Sequence, residues 1–142
     1  KSVDIAPIYK FKMPSNLAPV KLGGDTSNCS FETRLINLAY ARSGDKGNHV
    51  NVGIIAREPE YFEYIKKSLT IDKLSSFFKN GTKKSIVCWE LPKIYGLNFL
   101  VKNSLGGGGM SSLLLDPQGK AYAQYILNAK IAVPKSIYSK LA

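Results

Sequence analysis

The sequence predicts an α+β sandwich, several strands with helices packed on one face, preceded by an extended N-terminal arm. Three observations carry this reading. Short apolar runs bounded by turn residues recur along the chain, segments with helical spacing lie between them, and 142 residues suffice for one core. A chain of this length buries about two thirds of the surface its unfolded form exposes.

Residues 1–30 come first. Pro7, Pro14 and Pro19, then Gly23-Gly24, break any sustained period and predict an extended arm or linker, with the domain proper at 31–142. After Arg34, the run Leu35, Ile36, Leu38, Ala39 and Tyr40 reads as a strand. Val50 to Ala56 reads as a second, and the polar, glycine-containing stretch Ser43 to Asn48 as the loop between them. Pro59 suits the first turn of a helix whose apolar face is Tyr61, Phe62, Tyr64, Ile65 and Leu69. Thr70 resembles an N-cap for a helix carrying Leu74, Phe77 and Phe78, stopped at Asn80-Gly81.

The second half follows the same grammar. Ser85 to Leu91 and Leu97 to Val101 read as strands joined through Pro92 to Gly96, and the four glycines Gly106 to Gly109 follow. Ser111 to Leu115 reads as a short strand, Asp116 to Gly119 as a turn, and Lys120 to Asn128 as a helix. Lys130 to Val133 is a final strand stopped by Pro134.

Composition excludes several classes. No apolar run approaches the roughly 20 residues that span a bilayer, so no membrane insertion is expected. Twenty basic against ten acidic residues give a formal charge of +10, which attracts anions in general. Seventeen of the twenty are Lys, with only Arg34, Arg42 and Arg57 to offer bidentate recognition. The lysines are dispersed and no nucleic-acid motif accompanies them, so a solvated surface is expected and no nucleic-acid partner. Cys29 and Cys88 form no metal-spaced cluster with His49 and are expected to be reduced thiols. Asn28-Cys29-Ser30 and Asn80-Gly81-Thr82 match the glycosylation pattern, but the match is too short to weigh. No cofactor motif is present: the glycine run is neither a Walker loop nor a dinucleotide fingerprint.

Ala41-Arg42-Ser43-Gly44-Asp45-Lys46-Gly47-Asn48, continued by Asn51 to Arg57, resembles the signature of the C-terminal domain of the AtuA-like (acyclic terpene utilisation) family. Leu69-Thr70, Glu90-Leu91-Pro92, Leu97-Asn98-Phe99, Leu105 to Gly109 and Asp116 with Gly119-Lys120 agree in order, so the resemblance covers roughly residues 34–134. It implies a ferredoxin-like fold with a mainly antiparallel sheet, and a larger domain preceding this one. It also implies a link to the breakdown of acyclic terpenes and branched acyl-CoA thioesters, and a cytoplasmic location for a bacterial protein; the Lys- and Asn-rich composition is also compatible with the mitochondrial matrix. The chain opening on Lys1 is consistent with an upstream domain or targeting segment. Ser111 to Leu115 departs from the family pattern in lacking a basic residue.

Three functional readings are open. The domain is a docking or subunit module, partnered by an N-terminal AtuA-like domain or another assembly subunit. Or it is the ligand-binding or catalytic part of an acyl-CoA-processing enzyme of hydratase or lyase type. Or it is a purely structural subunit of a larger mitochondrial assembly. No nucleophile motif, carboxylate pair or metal cluster assigns a catalytic residue. The ligand-binding candidates are Arg42, Ser43, Gly44, Asp45, Lys46, Gly47, Asn48, Asn51, Asn98, Gly106, Gly107, Gly108 and Gly109. The two loops are expected to converge on one side of the sheet as a small pocket for an anionic molecule such as an acyl-CoA. In it the glycines offer backbone N–H groups, Arg42 or Lys46 supplies charge, and Asp45 holds them in place. The competing reading is a closed corner in which Asp45 and Asn48 satisfy the glycine amides internally. His49 is expected to be structural, and Asn103 to tie down its loop.

Overall fold

A computed structural model describes residues 19–78, 85–107, 115–116 and 118–141. Four strands, β2 (Ala39–Lys46), β3 (His49–Ala56), β4 (Ile86–Leu91) and β5 (Gly96–Val101), form an antiparallel sheet in the order β2-β3-β5-β4. A second antiparallel pair joins β1 (Phe31–Arg34) to β6 (Lys130–Val133), with Phe31 opposite Val133.

Alternation decides which way the larger sheet faces. Val50, Val52 and Ile54 of β3, Leu97, Phe99 and Val101 of β5, and Ile86 and Cys88 of β4 are buried on one side. That side carries the helices. Helix α2 (Phe62–Ser68) packs on β6 and β3, α4 (Tyr122–Leu127) on β2 and β3, and α3 (Ile71–Phe77) on α4. Phe62, Ile65, Leu74, Ala123 and Ile126 complete the core, each large side chain adding roughly 1.5–3 kcal/mol by leaving water. The helices therefore lie on one face of the sheet, as expected. Among the described residues no helix is long and apolar enough to cross a membrane.

Several elements stand where the sequence places them. Thr70 caps α3 by accepting the Lys73 N–H at 3.1 Å. Pro59 opens a 3-10 turn, Pro59–Tyr61, that leads into α2, and Pro92–Ile94 forms another between β4 and β5. β6 ends at Pro134, but the chain then makes one further helical turn, α5 (Lys135–Tyr138). The stop at Asn80-Gly81 and most of the strand expected at Ser111 to Leu115 lie outside the described residues.

Two readings are corrected. Leu35–Leu38 is a helical turn, α1, rather than a strand. Leu35 and Leu38 are both 0 % exposed while Ile36 is 44 % exposed, a spacing of three that a strand cannot bury on one side. Strand β2 then runs on to Lys46 through most of the stretch expected to be a loop, and the reversal needs only Gly47 and Asn48. Gly47 takes φ +64, suited to a two-residue hairpin. The polar residues sit comfortably in β2 because it is an edge strand, where charges are favoured over apolar side chains.

The described part of the arm packs on the domain. Val20 donates its N–H to the Cys88 carbonyl at 2.8 Å, Gly23 to the Lys66 carbonyl at 3.2 Å, and Leu22 joins the core.

Candidate functional site

Strand alternation divides the candidate residues of β2 between two faces. Arg42, Gly44 and Lys46 lie on the side away from the helices, whereas Ser43 and Asp45 lie on the helix side. Ser43 is buried and its hydroxyl is committed: it donates to the Lys120 carbonyl at 3.0 Å and accepts the Ala123 N–H at 2.9 Å. It ties β2 to the first turn of α4. Asp45 does not hold the cations in place. Among the described residues no ion pair joins it to Arg42 or Lys46, and alternation explains why.

The two loops do meet, through Asn48. Its side-chain oxygen accepts the Gly107 N–H at 2.8 Å, its side-chain nitrogen donates to Asn103 at 3.4 Å, and its carbonyl receives Ser104 and Leu105. His49 Nδ1 accepts the Asn103 N–H at 2.9 Å, so this histidine is structural, and Asn103, at φ 50, ties down its loop. Gly106 and Gly107 both have positive φ. The Gly107 amide is already satisfied, so this corner is the closed one for Gly107 and not an anion cradle; Gly108 and Gly109 lie outside the described residues.

The remaining candidates gather on the helix-free face. Cross-strand register sets Arg42 opposite Gly53, Gly53 opposite Asn98 and Asn98 opposite Trp89. The neighbouring row is Gly44, Asn51, Leu100 and Val87. A hollow of about 370 Å³ at the β2 edge is lined by residues 42–46, Asn51, Gly53 and Lys120. Arg42, Lys46 and Lys120 bring three cations, and among the described residues none of them has an acidic partner. A Cβ added to Gly44 would lie 3.5 Å from the Lys120 Nζ, so that ammonium stands over the strand.

Gly53 and Lys120 are absent from the sequence-derived set. Gly53 was legible as the outward neighbour of Asn51 two residues on; Lys120 reaches β2 only through the tertiary packing of α4. Its turn is well anchored. The Asp116 carboxylate accepts the Lys120 and Ala121 N–H groups at 2.9 and 2.8 Å, and Gly119 packs on Val50.

The hollow sets ammonium, guanidinium and amide groups side by side, with the Asp45 carboxylate in the same lining. Cys88 offers no nucleophile, since burial, with Glu90 adding, pushes its thiol up to about 12. Among the described residues no group of three or more His, Cys, Asp or Glu side chains is placed to hold a metal ion. Comparison with curated proteins and with solved structures returned no match. Residues 33–132 match the family model of the AtuA ferredoxin-like domain, and the chain belongs to that family.

Proposed function

We propose that this domain is a non-catalytic binding module, a docking or subunit part of a system that handles branched acyl-CoA thioesters in the cytoplasm or mitochondrial matrix, and that its open sheet face takes an anionic ligand. One observation carries the reading: Arg42, Lys46 and Lys120 line the same hollow without an acidic partner among the described residues. The Asp45 carboxylate in the same lining offsets only one of the three, so the cations keep a net mutual repulsion that an anion relieves. Calorimetric titration of acyl-CoA, free CoA and inorganic phosphate into the wild type, Lys46→Gln and Lys120→Gln tests it. Each substitution should weaken binding by about 1.5–3 kcal/mol, the worth of a charge-assisted contact. No binding by the wild type, or unchanged affinity in both variants, would remove the anion site.

A docking role is supported by a separate observation. Tyr40 is 61 % exposed, Ile55 44 % and Ile94 49 %, an apolar cluster of the kind protein partners cover. Light scattering on the full chain and on a chain starting at Pro19 tests this; a monomer at all concentrations in both would leave the anion site alone standing. Truncation beyond Pro19 is unsuitable, because it removes Leu22 from the core.

A further inference from the structure

A second hollow adjoins the cationic one on the same face. It measures about 220 Å³ and is walled by Tyr40, Ile55, Leu91 and Ile94, with Arg42 and Gly53 shared between the two. Each hollow is near or below the small end of ligand pockets, roughly 300–1,000 Å³, so a ligand confined to one would make few contacts. A ligand lying across both would be apolar at one end and anionic at the other.

Gly53 gives independent support. A glycine inside a strand ordinarily marks a bulge, a left-handed backbone or a close approach. None applies: Gly53 sits in unbroken register with Arg42 and Asn98, is not among the positive-φ residues, and a Cβ added to it would meet nothing within 4 Å. The fold leaves room for a side chain there, and its absence is what joins the hollows.

We infer that the open face binds an aliphatic carboxylate lengthwise, its chain over Gly53 against Tyr40, Ile55, Leu91 and Ile94, and its carboxylate at the cations beside Arg42. Charge complementarity selects this occupant: among the described residues Arg42 is the one charged side chain lining the apolar hollow, Arg57 stacks on the Tyr40 ring at 4.0 Å, and the cationic end continues to Lys46 and Lys120, which outnumber the Asp45 carboxylate beside them. From Tyr40 to Gly44 the strand rises roughly 13 Å, the scale of a medium-chain acid. The inference rests on the anion reading of the cationic hollow, assigns the class of ligand, and gives the Tyr40, Ile55 and Ile94 cluster to that ligand in place of a protein partner.

The test follows backbone amide shifts of the isotope-labelled full chain on titration with octanoate, acetate, inorganic phosphate and anionic phospholipid vesicles. Octanoate should move the amides of Tyr40 to Gly44, Gly53 to Ile55 and Leu91, and bind at least about tenfold tighter than acetate, because only its chain reaches the apolar hollow. Gly53→Val fills the junction and should weaken octanoate binding about tenfold or more. Ile94→Ser, at an exposed position, should weaken octanoate while leaving phosphate unchanged, and serves if the valine variant misfolds. Equal affinity for octanoate and acetate, or unchanged octanoate binding in Ile94→Ser and in a folded Gly53→Val, overturns the inference, as does binding to vesicles without a response to octanoate. Phosphate binding that depends on Lys46 without any octanoate binding overturns this inference and spares the anion site; no response to any anion overturns both.

Discussion

Asn48 accepts the backbone N–H of Gly107 at 2.8 Å, and so closes a contact between residues 59 positions apart in the chain. The same residue receives Ser104 and Leu105 at its carbonyl, which makes the β2–β3 turn the anchor of the segment after β5. Asn48→Ala should destabilise the fold by about 1 kcal/mol, the net worth of a partly exposed hydrogen bond. Urea unfolding measures it, and exchange of the Gly107 amide should speed up more than the core average. An unchanged Gly107 exchange rate would show that the contact does not persist in solution.

Ser43 has the stronger structural claim of the candidate residues. Its hydroxyl is both donor and acceptor to the start of α4, and Ser43→Ala leaves the part-buried Lys120 carbonyl and the buried Ala123 N–H without that partner. Loss of about 1–3 kcal/mol is expected, with no direct effect on anion affinity beyond what a shifted Lys120 produces. A Ser43→Ala protein as stable as the wild type would contradict the assignment.

Periodic and capping signals were legible because they are local. Thr70, Pro59, Pro134 and the alternating Leu97-Asn98-Phe99 announce their elements within a turn or two of chain, and the motifs from Ala41 to Lys120 placed the family. Leu35 to Leu38 was misread because four apolar residues in five fit either period, and only the burial of Leu35 with Leu38 decides between them. The polar stretch after Tyr40 looked like a loop for a related reason. An edge strand with one open face tolerates glycines and charges that a central strand would not. Of the site, Arg42, Lys46 and Asn51 were legible; Lys120 was not, since 77 residues separate it from Ser43 and only the α4 contact joins them.

Gly53 and Gly119 should respond oppositely to the same substitution. Gly119 has φ +61, and a Cβ there would lie 2.5 Å from a Val50 methyl, so Gly119→Ala should cost about 2 kcal/mol or more. Gly53→Ala meets no atom within 4 Å and removes chain freedom from the unfolded state, for a gain of about 0.4–1 kcal/mol. Thermal and urea unfolding of the pair give the comparison directly. A destabilised Gly53→Ala would mean that the fold itself needs this glycine, and the ligand explanation for it would lose its basis.

Stability should fall as pH rises above about 9, through groups whose folded pKa is raised, among them Cys88, Lys66 and Tyr122, whose phenol burial pushes up. Burial, with Glu90 adding, pushes the Cys88 thiol from its ordinary 9.0 up to about 12. Burial works the other way on Lys66 and pushes its pKa down, but Glu63 at 3.1 Å and Glu90 at 3.4 Å more than offset this, so the net shift from 10.5 is upward. A raised folded pKa means that the native state keeps its proton where the unfolded state has lost it. The stabilisation is therefore complete below the unfolded pKa and disappears as pH climbs toward the folded one. Cys88 sets the start of the decline near 9.0 and carries it toward 12; Lys66, whose side chain is 24 % exposed, adds a smaller part above 10.5, discounted for solvent screening. Urea midpoints between pH 7 and pH 11 should thus fall more steeply for the wild type than for Cys88→Ala. Thiol labelling gives a second check: Cys29, which is partly exposed, should react in the native state, and Cys88 only on unfolding. Equal pH slopes, together with native-state labelling of Cys88, would show that its burial is not held in solution.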